Sequence, residues 1–152
     1  MRILLYTSFL MLCALHVNAQ VIINEISYNP PESGTDSLEY IELYNAGTEH
    51  VDITGYYFTG GIEDTLPIVH LSAGQYYVTA LSASAMKAVF NRNVHQWSDG
   101  ALNNSGETII LVDAGGNFVD SVAFEDADPW PLEPDGMGPS LELKPLSPDN
   151  ND

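Results

Sequence analysis

The sequence is short of basic residues, of cysteine and of long apolar runs. Only four lysines and arginines stand against 21 acidic residues, a formal charge of −17 over 152 residues. A surface of that sign repels phosphate backbones and anionic membranes, which argues against nucleic-acid binding. The single cysteine, Cys13, lies near the start, so no disulfide framework can hold the rest of the chain. The longest apolar stretch, Ile3 to Leu15, falls short of the roughly 20 residues that span a bilayer. No H-E-x-x-H pattern, G-x-S-x-G elbow or phosphate loop occurs. Zinc, acyl-transfer and phosphoryl-transfer chemistry therefore lack their usual handles.

What is present begins with "MRILLYTSFLMLCALHVNA": Arg2, an apolar run, then Val17 and Ala19. This is the layout of a secretory signal peptide over residues 1–19, cleaved after Ala19, and it predicts a secreted or cell-surface protein. Lipid anchoring through Cys13 fits less well, because Leu12 before it is larger than such signals use. Removing 19 of 152 residues leaves 133, enough for one domain with its own core. That domain is expected over residues 20–145, with "LSPDNND" at 146–152 a polar tail or the start of a linker. All 21 acids fall in the 133 residues after Ala19, against Lys87, Arg92 and Lys144, for a charge of −18. Solubility is the plainer use of so much acid, and recruitment of divalent cations the sharper one.

Period-two alternation predicts strands. In "VIINEISY" the face Ile22, Asn24, Ile26 and Tyr28 opposes Ile23, Glu25 and Ser27. In "LEYIELYN" the face Tyr40, Glu42 and Tyr44 opposes Glu39, Ile41 and Leu43. Short β-branched or aromatic runs follow in "VDITGYYFTG", "LPIVHL" and "GQYYVTAL". The period then changes: "SASAMKAVFN" places Ala83, Met86, Val89 and Phe90 on one side of a short crossover helix, with Ser82 or Ser84 to cap it and Asn91 to end it. "ETIILVD" and "NFVDSVAFE" flank Gly115 and Gly116 as a hairpin, its first strand apolar enough for the middle of a sheet. An extended, proline-rich connector leads to "SLEL", a closing edge strand. Seven to nine short strands and one helix predict an all-β sandwich.

The ordered set "VIINEISYNP", "LEYIELYNAGTEHVDITGYYF", "LSAGQYYVTA", "LNNSGETIILVDAGGNFVDSVAF" and "DGMGPSLEL" resembles the lamin tail domain as it occurs in secreted bacterial proteins. The resemblance implies an immunoglobulin-like β-sandwich that serves as an accessory or interaction module, with no catalytic residues to carry over. No helical rod precedes the domain, so filament assembly of the lamin kind is not implied. Asn24, Glu25, Glu42 and Asn45 are expected to be structural clamps rather than a catalytic set, because a buried carboxylate needs hydrogen-bonding partners. Asn24 and Glu42 are expected to approach the core.

His50, His70 and His95 stand apart in sequence and make no zinc pattern. For calcium the best stretch is "EDADPWPLEPDG", with Asp126, Asp128, Glu133 and Asp135, although its spacing is not that of an EF-hand. No cofactor is otherwise expected. Tyr56, Tyr57, Tyr76, Tyr77, Trp97 and Trp130 could stack on sugar rings. The reading is thus a non-catalytic secreted module with a protein or glycan partner. The alternatives are a calcium-assisted carbohydrate-binding module and an accessory domain of a larger extracellular hydrolase.

Overall fold

The structure, a computed structural model, describes residues 20–31 and 36–144. The expected signal peptide and polar tail lie outside the described residues. The strands, in chain order, are β1 (Val21–Ser27), β2 (Tyr40–Asn45), β3 (Val51–Asp52), β4 (Tyr57–Thr59), β5 (Ile62–Thr65), β6 (His70–Leu71) and β7 (Tyr76–Ala80). After the helix α1 (Ala83–Phe90) come β8 (His95–Gln96), β9 (Asp99–Gly100), β10 (Glu107–Val112), β11 (Phe118–Phe124) and β12 (Leu141–Glu142). One five-stranded sheet runs β12-β1-β2-β7-β8 and the other β11-β10-β4-β5-β9, while β3 and β6 form a separate pair. The core between the two large sheets is apolar: Ile23, Ile26, Ile41 and Leu43 come from the first sheet, Phe58, Ile62, Ile109, Leu111 and Val122 from the second. This is an immunoglobulin-like β-sandwich with one helix.

Local sequence accounts for the connections. Strands β7 and β8 pair in parallel, which requires a crossover, and α1 supplies it. Ser82 caps the helix by accepting from the Ala85 N–H, and Asn91 ends it in the left-handed region at φ 54°. Between β10 and β11, Asp113 accepts from the backbone N–H groups of Gly115 and Asn117 at 2.8 Å each, and Gly116 takes φ 84°. Between β4 and β5, Gly60 sits at φ 87° with its missing side chain aimed at the Thr108 carbonyl. Strand β10 lies inside its sheet, between β11 and β4. Strand β12 closes the first sheet by pairing antiparallel with Glu25 and Ile26 of β1.

Four expectations are corrected. Strict alternation fails in β1 because its register shifts between Ile23 and Glu25. That bulge makes Asn24 an extra residue, so the buried set is Val21, Ile23, Ile26 and Tyr28 rather than one unbroken phase. In β2 the inward polar residues are Glu39, just before it, and Asn45 at its end, while Glu42 points the other way and is half-buried. The helix buries Met86, but Val89 and Phe90 stay exposed, because eight residues give a contact stripe only one or two side chains wide. The proline-rich connector is a run of turns rather than extended chain. It is pinned where Asn29 bridges Asp135 and its carbonyl accepts from Gly136 at 2.9 Å.

Candidate functional site

Among the described residues Glu39 is the most deeply buried carboxylate, 1% exposed. It accepts from the backbone N–H of Leu102 at 2.7 Å and so ties the start of β2 to the loop before β10. Asp64 from β5 is also buried and points at the first sheet, where it accepts from the Thr79 hydroxyl at 3.2 Å. His95 Nε2 lies 3.1 Å from its other oxygen. Threonine and histidine both contact the aspartate, so a proton relay from Thr79 to His95 has no direct path, and the trio acts as a link between sheets. Asn45, fully buried, donates to the carbonyls of Glu49 and Leu71 and accepts from the Gly47 N–H.

The other carboxylates lie on the outer face of the first sheet. Register places Glu42 opposite Glu25 and Glu25 opposite Glu142, so three acids stand side by side across β2, β1 and β12. Like charges in that arrangement repel. One oxygen of Glu25 accepts from both the Tyr40 and Ser140 hydroxyls, and one oxygen of Glu42 accepts from the Asn24 amide at 2.9 Å. Burial raises the Glu42 pKa, as do the charges of Glu25 and Glu142, while the Asn24 bond opposes the rise. Burial also lifts Tyr40, with the Glu25 contact adding to it. Tyr77 is pushed up to about 12 by burial and then by the charge of Asp64.

Beside this row runs an open cleft of about 690 Å³. It is lined by Tyr40 and Glu42 of β2, Tyr76 and Tyr77 of β7, His95 of β8, and Phe90 and Arg92 at and just after the end of α1. Tyr76 is 56% exposed and stacks on Tyr44 at 4.6 Å between ring centres and 28° between planes. Phe90, at the end of α1, also lines the cleft and is 51% exposed. Pairing of β7 with β8 is confined to Thr79 and Ala80, so among the described residues Tyr76, Tyr77 and Val78 have no strand beside them on that edge.

The remaining sequence candidates are dispersed. Among the described residues no group of three or more histidine, cysteine or acidic side chains is placed to hold a metal ion. Asp128 and Glu133 face solvent and Asp135 accepts from the Asn29 amide at 2.6 Å, so the connector does not converge its acids. Trp97 is a core residue whose indole N–H donates to the Gly100 carbonyl at 3.0 Å. Trp130 is partly buried against the core, and Tyr56 likewise. His70 pairs with Asp52 at 3.3 Å on the surface. Glu39 and Asp64 were harder to find from sequence than the clamps, since nothing beside them in the chain announces a partner 63 or 31 residues away.

Residues 15–126 match the Lamin Tail Domain family. Among solved structures, a DUF4876 family protein from Bacteroides thetaiotaomicron VPI-5482 aligns with a TM-score of 0.53 and 10% identity, over 72% of this chain and 55% of that one. At that identity the likeness is one of fold, and the chain spans about half the length of that protein. No curated protein matches the chain.

Proposed function

Because this chain belongs to the Lamin Tail Domain family, we propose that it is a non-catalytic interaction module exported from the cytoplasm, working at the cell surface or in the extracellular matrix. The observation that carries this reading is the use made of the acids. Glu39, Asp64, Glu25 and Glu42 each spend at least one oxygen holding a strand or loop in place. General acid–base work needs a carboxyl group free to exchange its proton with a substrate, whereas Glu39 and Asp64 are buried and serve the scaffold. The signal-like segment at residues 1–19 supports export.

The test is the intact mass of the protein recovered from expressing cells, separated into cytosolic, surface and released fractions. A chain starting at Gln20 outside the cytosol is the expected result. A cytosolic chain that keeps residues 1–19 would overturn it. A much larger mass would instead make the domain an accessory of its covalent neighbour.

A further inference from the structure

We infer that the cleft on the outer face of the first sheet is a docking groove for an extended basic peptide, whose lysine or arginine side chains enter between Tyr76 and Phe90 and reach Glu42. The proposal rests on the interaction-module reading above and names the class of partner. Three independent features converge on it.

The first is shape. The edge of β7 is open from Tyr76 to Val78, and in the antiparallel ladder alternate residues turn their peptide groups outward. Gln75 and Leu81 bond towards β2, which places Tyr77 and Thr79 in the same phase and directs the backbone of Tyr76 and Val78 into the cleft. An extended segment can add to such an edge.

The second feature is the aromatic lining. Tyr76 and Phe90 both line the cleft and are each more than half exposed. Aromatic faces attract ammonium and guanidinium groups, more strongly where water is partly excluded.

The third is charge. Glu42 and Glu25 line the cleft, with Glu142 next to Glu25 in the same row, and these acids outweigh Arg92, the arginine that also lines it. Among the described residues Glu25 and Glu42 each satisfy one oxygen internally, which leaves the second for an incoming donor. A cationic side chain would relieve repulsion that the free protein carries, which a neutral sugar would not. An anionic partner would add to it.

The experiment is titration of the whole mature chain with a nine-residue peptide alternating lysine and glycine, followed by tyrosine fluorescence and calorimetry. Binding that weakens as salt rises is expected. Glu42→Gln and Tyr76→Ala should each weaken it about tenfold. Glu63→Gln, an exposed acid on β5 in the other sheet, should leave it unchanged, which separates the groove from the general negative charge. Melting curves of each variant verify that it is folded. Equal weakening by Glu63→Gln would overturn the groove, as would absence of binding by the folded wild type. Binding of a neutral cello-oligosaccharide that Glu42→Gln does not alter would overturn the basic-peptide assignment in favour of a glycan. None of these failures touches export, which the fractionation experiment reads separately.

Discussion

Asn45 holds the end of β2 with both ends of its amide, donating to two carbonyls and accepting from one N–H while fully buried. Asn45→Ala leaves those groups without partners and should cost about 3 kcal/mol in urea denaturation. Asn45→Asp keeps the shape but sets a carboxylate against two carbonyl oxygens, so at pH 7 it should be the more damaging change. Glu42 gives the opposite sign. Its folded pKa lies above the ordinary 4.5, so the native state holds this proton more tightly than the unfolded chain does. Stability from this group therefore rises as pH falls through the folded pKa, and its ionised form weakens the fold above that value. Glu42→Gln, which keeps the oxygen that Asn24 uses, should melt higher than wild type at pH 7, with the difference gone below about pH 4. Such a carboxylate, retained at a cost to the fold, suits a surface that binds.

At the scale of the element, turns separate positions that need glycine from those that merely contain it. A β-carbon on Gly60 would lie 2.3 Å from the Thr108 carbonyl oxygen, in the neighbouring strand β10, whereas one on Gly74 meets nothing within 4 Å. Both have positive φ. Gly74→Ala should thus cost about 1 kcal/mol, for backbone strain alone, and Gly60→Ala about 3 kcal/mol or more, for strain plus displacement of a strand. Thermal melts of the two variants measure the gap. The hairpin of β10 and β11, the capped helix and the edge strand β12 were all legible because their signals are local: a pair of glycines, a serine before a change of period, a short apolar run after prolines. The bulge at Asn24 was not. It shows only in the pairing of β1 with β2, and no residue in "VIINEIS" marks where the phase slips. In β2 the alternation is unbroken, and Glu39 rather than Glu42 enters the core because it shares the phase of the apolar Ile41 and Leu43.

For the whole molecule, a charge of −17 makes every acid repel many others. Added sodium chloride should raise the melting temperature between about 10 mM and 0.5 M, as the screening length contracts from roughly 30 Å towards a few ångströms; a flat profile would show that the acids are too far apart to matter. Composition and alternation made the sandwich legible, while the cleft emerges only when β7 outruns β8 and the helix settles alongside. The antiparallel pairing of β1 with β12 has a mechanical consequence. The chain leads into β1 from Gln20 and leaves β12 at Lys144, two neighbouring strands whose outer ends point the same way. Tension applied between those ends would fall on the Leu143–Asn24 hydrogen bond first and then on each rung in turn, never on a row of them together. Under load β12 would peel from β1 like a zipper at low force, so as a tether the domain would first release a short length of chain before the sandwich itself carried the pull.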